Sequence, residues 1–100
     1  MKIMISQPMR GKSTDRIKWE REELVKKLQD EGHYVADTIF AENAPEGCKE
    51  YNEGLYYLAK SIEAMSKVDA VIFMQGWENA RGCRIEEQCA REYGKFIRYE

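Results

Sequence analysis

The chain has 100 residues, of which 43% are hydrophobic and 34% are charged, and its formal net charge is −2 at pH 7. This composition is typical of one globular domain and not of a disordered segment. The acidic balance argues against a sequence-independent nucleic-acid binder, which needs a basic stripe, and no apolar run approaches the roughly 20 residues of a membrane span. We therefore predict a single domain over residues 1–100, with no nucleic-acid or membrane partner.

The cysteines and the start of the chain indicate the compartment. Cys48, Cys83 and Cys89 are odd in number and lack C-x-x-C spacing, so they predict neither a disulfide framework nor a zinc site. Met1 leads directly into a predicted strand, without the charged-then-apolar pattern of a signal peptide. Reduced thiols are typical of cytoplasmic proteins. The sequence therefore predicts a cytoplasmic protein with no metal and no cofactor.

The first half of the chain is predicted to form a strand, a long helix and a second strand. The first strand is the apolar segment Lys2–Ser6. After a turn, Ser13 or Thr14 caps a helix that Gly32 ends, and residues 33–40 form the second strand. The helix is recognised by an apolar stripe at helical spacing, which consists of Ile17, Leu24, Val25 and Leu28.

The second half repeats this alternation after a long loop. Residues 41–54 show no periodicity, and a loop of this length in a small domain is usually functional. A buried strand is predicted at 69–74, then the loop 75–81, a helix that carries Glu86, and a closing strand Phe96–Tyr99. The helix before the buried strand is indicated by a second apolar stripe, formed by Leu55, Leu58, Ala59, Ile62 and Met65.

Strands that alternate with helices predict an α/β fold with right-handed crossovers. We expect a small three-layer α/β/α sandwich of flavodoxin or Rossmann type. Its sheet should have four parallel strands in the order 2-1-3-4, flanked by three main helices. The amino ends of the first and third helices should converge on one cleft at the carboxyl edge of the sheet, where such folds bind ligands.

Two consecutive glutamates in the third helix are expected to face in different directions. Glu87 lies one turn before Arg91 and should form a solvent-side i,i+4 pair. Glu86 shares its stripe with Ala90 and Tyr93, on the side that leans toward the sheet. Two interpretations of Glu86 stay open: a carboxylate that favours the positive end of the helix dipole, or a ligand-facing carboxylate in the cleft.

The loop after the first strand comes close to a phosphate-binding P-loop. Segment 6–13 lies between a strand and a helix, as that motif requires, but Ser6 replaces its first glycine and Pro8 removes one N–H donor. A simpler anion site remains, in which Arg10 and Lys12 stand beside a helix amino terminus. The alternative is a turn with solvated basic side chains.

The third helix also resembles a known family. A glycine four residues before Glu86, an alanine four residues after it, and Gly94-Lys95 eight and nine residues after it are similar to the nucleophile helix of the nucleoside 2-deoxyribosyltransferase superfamily. That superfamily includes the 2'-deoxynucleoside 5'-monophosphate N-glycosidases, and the chain resembles a small branch of unassigned function. Segment 5–11 is similar to the first strand and substrate loop of these glycosidases.

The resemblance implies an N-glycosidic bond hydrolase or 2-deoxyribosyltransferase that acts on a nucleoside or nucleotide, with Glu86 as the nucleophile. Such chemistry needs an anion beneath C1' of the sugar and an acid that helps the base to leave. The resemblance places six further residues near the substrate, namely Ser6, Gln7, Met9, Arg10, Gly11 and Gly82.

Two positions differ from the pattern of the catalytic members. Ser61 stands where those members carry an Asp, and Ala80 stands where phosphate-binding members carry a Ser. Asp15 or a residue of loop 41–54, from the same subunit or from a second one, could supply the missing acid. The alternative function is a non-catalytic nucleotide or nucleotide-sugar binding protein.

Aromatic residues suggest self-association. Tyr56 and Tyr57 fall on two helix faces about a hundred degrees apart, so at least one ring should face outward and mark an interface. Trp77, in the loop beside the cleft, could stack on a base or pack against a neighbouring subunit. We expect a homodimer, or a higher homo-oligomer, formed through the second and third helices.

Overall fold

A computed structural model of the chain describes residues 1–39 and 44–100. Within these residues, four strands form one all-parallel sheet in the order β2-β1-β3-β4, which confirms the predicted α/β fold. The strands are β1 (Lys2–Ser6), β2 (Tyr34–Val35), β3 (Ala70–Phe73) and β4 (Phe96–Tyr99). The helices are α1 (Thr14–Asp30), α2 (Glu46–Met65) and α3 (Arg81–Glu92), and a short 3-10 turn covers Trp77–Asn79.

The sheet carries a hydrophobic cluster on each face, which makes the molecule three-layered. Alternate residues of a strand point to opposite faces, and β1 and β3 are apolar on both. One face packs against α1 through Ile3, Ile5, Ile72 and Leu28. The other packs against α2 and α3 through Met4, Val71, Phe73, Met65 and Ala90.

The first helix has the predicted boundaries. The Ser13 side chain accepts a hydrogen bond from the Arg16 N–H at 3.1 Å and caps the amino end of α1. Glu31 caps the carboxyl end, and Gly32 follows with φ of 90°, a conformation in which glycine carries no Cβ penalty.

The second strand is shorter than predicted. Pairing with β1 ends at Val35, although the sequence predicted a strand over 33–40. The Asp37 side chain accepts a hydrogen bond from the Ile39 N–H at 2.9 Å. This local bond competes with the ladder, and beyond the Ala36 N–H the segment is held to β1 by the Thr38 side chain, which donates to the Ile5 carbonyl oxygen. Residue 40 lies outside the described residues.

The second helix begins at Glu46, within the segment 41–54 that the sequence predicts as a loop. The helical span breaks at Asn52, where φ is −167° and ψ is 91°. The Asn52 side chain accepts from the Leu55 N–H at 2.9 Å, so it caps a second segment that starts where the apolar stripe starts. Leu55, expected in that stripe, is instead exposed because it lies in the first turn of this segment. Residues 41–43 of the predicted loop lie outside the described part of the chain.

Candidate polar site at the carboxyl edge of the sheet

Glu86 is buried at the carboxyl edge of the sheet. It lies in the second turn of α3 and is 7% exposed, as its helix face predicted. Its Oε2 atom accepts a hydrogen bond of 3.0 Å from the Ser6 hydroxyl, which is itself buried. Ser6 ends β1 and pairs with Phe73 at the end of β3. The carboxyl group therefore lies over the ends of the two central strands, where this fold class binds ligands.

Burial changes the ionisation of this carboxyl group. Removal from water raises the pKa of Glu86 from 4.5 to about 7, because the charged form loses solvation. The hydroxyl groups of Ser6 and Ser61 and the charge of Arg21 each lower the pKa, but less than burial raises it. At neutral pH both the acid and the carboxylate are therefore populated, which is a property of catalytic carboxyl groups.

Arg21 is a buried residue of this region that the sequence interpretation missed. It projects from α1 and is 5% exposed. Its Nε donates to Gln7 Oε1 at 2.8 Å, and its Nη1 donates to Thr38 Oγ1 at 3.2 Å. Thr38 in turn donates to the Ile5 carbonyl oxygen at 3.3 Å. The guanidinium group thus connects α1, β1 and the segment after β2.

A signal for Arg21 was present in the sequence. The apolar stripe of α1 runs from Ile17 to Leu28, and position 21 is four residues after the first and seven before the second. Helical geometry therefore places position 21 on the core-facing stripe. A charged residue at a core-facing position is uncommon unless it is paired, so the interruption of the stripe by Arg21 was itself informative.

Cys83 completes the cluster from the first turn of α3. It is buried, and its thiol contacts Ser6 and lies near Glu86 and Lys12. Burial raises the pKa of the Cys83 thiol, so the group is neutral rather than a thiolate nucleophile. Lys12 precedes α1 and Cys83 lies in the first turn of α3, so their proximity shows that the amino ends of the two helices converge, as predicted.

The residues of the β1–α1 loop divide into two groups. Gln7 is buried and also donates to the Ile17 carbonyl oxygen at 3.1 Å. Arg10 and Gly11 are exposed, Met9 is half-buried, and Gly11 has φ of 77°.

The two basic residues predicted to bind an anion differ in their contacts. Lys12 is half-buried and forms an ion pair with Glu20 at 3.0 Å. Among the described residues, no hydrogen bond or ion pair holds the Arg10 side chain. Lys12 is therefore already neutralised, and Arg10 keeps an uncompensated charge at the rim.

Trp77 and Gly82 occupy the loop and turn that lead into α3. The Trp77 ring stacks on Tyr99 at 5.3 Å and packs against Phe73 at 5.6 Å between ring centroids, so its predicted contact with a base stays a prediction. Gly82 lies in the first turn of α3, where an added Cβ would meet open space. Ala80 precedes the helix and provides no side-chain cap, which leaves donors of that turn without a side-chain acceptor.

Glu87 belongs to a second polar cluster on the neighbouring face of α3. Its predicted pairing with Arg91 is present, with an Nε–Oε1 distance of 2.6 Å, but its predicted exposure to solvent is wrong, because it is 8% exposed. The Tyr99 hydroxyl donates to Glu87 Oε1 at 3.0 Å. Tyr93, predicted on the sheet side, is 82% exposed, because α3 ends at Glu92 and Tyr93 is its C-cap.

Other surfaces of the molecule do not share this chemistry. A groove of about 770 Å³ lies between β2 and α2, and its lining includes Tyr34, Asp37, Tyr56 and Lys60 but not Ser6, Arg21 or Glu86. In residues 1–39 and 44–100, no group of three or more His, Cys, Asp or Glu side chains is arranged to hold a metal ion. No described helix is long and apolar enough to cross a membrane.

The fold and the buried cluster define a small α/β protein with a carboxyl group of raised pKa at the carboxyl edge of a parallel sheet. The chain belongs to the family described as a domain of unknown function (DUF4406), whose model matches residues 1–99. Comparison with curated proteins gave no match.

Proposed function

We propose that this protein binds a nucleoside or nucleotide and cleaves or transfers the sugar at its N-glycosidic bond, with Glu86 as the nucleophile. The observation that carries the proposal is the buried Glu86 carboxyl, which is held by Ser6 over the ends of β1 and β3 and has a pKa of about 7. The similarity of segment 5–11 and of α3 to the deoxyribosyltransferase pattern supports the same assignment.

The proposed reaction uses Glu86 as a carboxylate. An oxygen of Glu86 forms a bond to C1' of the sugar while the C1'–N bond breaks, and the base leaves with that electron pair and takes up a proton. Water, or the nitrogen of a second base, then attacks C1' and releases the carboxylate. Because attack needs the ionised form, kcat/KM should rise with pH through the Glu86 pKa near 7.

A specific observation favours a second candidate, a non-catalytic nucleotide or nucleotide-sugar binding protein. Ser61, at the position where the resemblance implies an acid, projects from α2 toward Glu86 and lowers its pKa. A serine hydroxyl does not protonate a leaving base at neutral pH, so Ser61 can hold a ligand without cleaving it.

Chromatographic assay for free base separates the two functions. The protein is incubated with a panel of deoxynucleosides and their 5'-monophosphates, with and without a second base as acceptor. Release of base that disappears in Glu86→Gln supports the enzyme. Thermal stabilisation by a member of the panel without release supports the binder, and neither effect with any member contradicts both.

Glu87→Gln is the matched control for this assay. It makes the same chemical change one residue along α3, where the carboxylate binds Arg91 and Tyr99 rather than Ser6. The enzyme hypothesis predicts base release in Glu87→Gln and none in Glu86→Gln. An equal loss in both variants would indicate damage to α3 instead of loss of a nucleophile.

The proposed partners are a small-molecule nucleoside or nucleotide and a second copy of the chain, in the cytoplasm. Tyr51 and Leu55 on α2 are 85% and 60% exposed, and exposed apolar side chains can contribute to an association surface. Sedimentation at micromolar concentration tests the homodimer. A monomer of 11.8 kDa would remove it, together with an acid supplied by a second subunit.

A further inference from the structure

Arg21 has an unpaired, buried donor. Its Nη2 atom has no hydrogen-bond partner among the described residues, and the whole residue is 5% exposed. Gln7 and Thr38, which accept from its other nitrogens, are neutral. A buried positive charge without a direct anionic partner is costly, and a buried polar atom without a partner calls for an explanation. An apolar side chain at position 21 would continue the stripe of α1 without this cost, so the fold alone does not explain the arginine.

Two acids act on the charge of this guanidinium: Asp37, whose effect is the larger, and the buried Glu86. Ser6 and Gln7 are consecutive residues at the end of β1, where Ser6 holds Glu86 and Gln7 holds Arg21. Two side chains from helices on opposite faces of the sheet are therefore bound to consecutive residues at the end of one strand. Asp37 also lies near Arg21, but it is exposed and accepts from the Ile39 N–H. Water can solvate the Asp37 carboxylate, whereas it has little access to that of Glu86.

We propose that Arg21 is a positioning residue for Glu86, and that its unpaired Nη2 group is the counter-charge that the Glu86 side chain acquires when it ionises. In the protonated state Glu86 carries no charge for Arg21 to compensate, and Nη2 stays without a partner. When the proton leaves, the carboxylate and the guanidinium attract each other in surroundings of low dielectric constant. Arg21 would thus favour the carboxylate form of Glu86, which is the form that acts as the proposed nucleophile. It rests on the proposed role of Glu86 but is testable without any substrate.

Other groups around Glu86 do not supply this charge. From α2 it faces the neutral Ser61 hydroxyl, and from its own helix the Cys83 thiol, which burial keeps neutral. Lys12, from the β1–α1 loop, reaches the cluster near Cys83 but is ion-paired with Glu20. Arg21 is the cation whose charge acts on the Glu86 carboxyl. The ionisation of Glu86 should therefore depend on Arg21 more than on any other basic side chain described here.

Nuclear magnetic resonance titration of the ligand-free protein tests the coupling directly. The ¹³C shift of the Glu86 carboxyl and the ¹⁵Nη shifts of Arg21 are followed from pH 4 to pH 9, with Glu86→Gln used for assignment. We expect both groups to report the same midpoint, near the Glu86 pKa of about 7, and the Arg21 transition to vanish in Glu86→Gln. Arg21 shifts that do not respond to Glu86 ionisation would overturn the proposal, and this measurement leaves Arg21 itself unchanged.

Substitutions of Arg21 measure the size of the effect. Arg21→Gln removes the charge but keeps an amide donor, so the Glu86 midpoint should rise. Arg21→Lys keeps the charge and should hold the midpoint closer to the wild-type value. The matched control is Arg16→Gln, which removes an exposed charge from the same helix and should leave the midpoint unchanged. A midpoint that stays the same in Arg21→Gln, with or without a loss of stability, would assign Arg21 a purely structural role.

These results are independent of the assay for base release. If the titrations couple and no base is released, Arg21 still positions Glu86 and the proposed reaction fails. If base is released without coupling, the reaction stands and the role of Arg21 is wrong.

Discussion

The two consecutive glutamates of α3 have nearly the same exposure and opposite electrostatics. Glu86 is 7% exposed and Glu87 is 8% exposed. The pKa of Glu86 is raised to about 7, mainly by burial. The pKa of Glu87 is lowered below its ordinary value, mainly by hydrogen bonds from Arg91. One helix therefore holds a carboxyl group that titrates near neutrality next to one that stays ionised.

The difference shows that a small exposed fraction of a side chain and a deep position in the molecule are separate properties. Glu87 is covered by the side chains of Arg91 and Tyr99, which are themselves largely exposed and bring donors with them. These donors bond to the Glu87 carboxylate, so the charged form is favoured. Glu86 lies at the carboxyl edge of the sheet, where the neutral hydroxyls of Ser6 and Ser61 do not compensate for lost solvation. A small exposed fraction alone does not predict which carboxyl group is protonated.

The largest expected effect is a gain of stability in Glu86→Gln at alkaline pH. The folded-state pKa of Glu86 is raised, so its favourable contribution is fully present below the unfolded value of 4.5 and is lost as pH rises through about 7. That rise corresponds to about 3 kcal/mol. Glutamine resembles the protonated acid, so Glu86→Gln should approach this gain over the wild type at pH 9 and show almost none at pH 4.

Urea unfolding of both proteins at pH 4, 7 and 9 measures this difference in the free energy of unfolding. The wild type should become less stable between pH 4.5 and 8, and the variant should lose less over the same interval. Equal pH dependence of the free energy of unfolding in the two proteins would contradict a raised pKa of Glu86 in the folded state.

Glu87→Gln should have the opposite sign and a smaller size. The lowered pKa of Glu87 means that its contribution is present above 4.5 and is lost as pH falls through the folded value. Its partners are exposed to solvent, so the loss of charged hydrogen bonds should cost only about 1 kcal/mol at pH 7. The variant should therefore be less stable than the wild type at pH 7 and nearly equal to it at pH 3.

Tyr99→Phe is a useful companion to Glu87→Gln, because it removes one of the hydrogen bonds to Glu87 and keeps the ring that stacks on Trp77. It should reproduce part of the loss. If Glu87→Gln is as stable as the wild type at pH 7, the cluster of Glu87, Arg91 and Tyr99 contributes nothing to the fold.

The smallest expected effect is on the Glu86 midpoint in Ser6→Ala. The Ser6 hydroxyl donates to Glu86 and lowers its pKa, so the midpoint should move above its value of about 7 when the hydroxyl is removed. A hydrogen bond of about 1 kcal/mol corresponds to less than about one unit. Carboxyl ¹³C titration measures the shift, and Ser66→Ala, which removes an exposed hydroxyl, should produce none. A midpoint that falls in Ser6→Ala would contradict the direction of this contact.

The periodicity of apolar residues, together with capping and turn residues, was sufficient to predict the parallel sheet and the position of Glu86. The strand at β3, the caps at Ser13 and Gly32, and the helix register of Glu86 each depend on residues that are close in the chain, so local physics suffices to predict them. The order 2-1-3-4 follows from the alternation of strands and helices together with the handedness of their connections.

Only the tertiary structure decided what surrounds each of these residues. The break at Asn52, the short β2 and the cover of Glu87 by Tyr99 depend on contacts between segments that periodicity cannot relate to each other. Arg21 shows the limit most clearly: the stripe of α1 places it toward the core, but its neighbours Gln7 and Thr38 come from other parts of the chain. Burial and ionisation depend on which distant side chains meet at one point, and that information is absent from any local pattern.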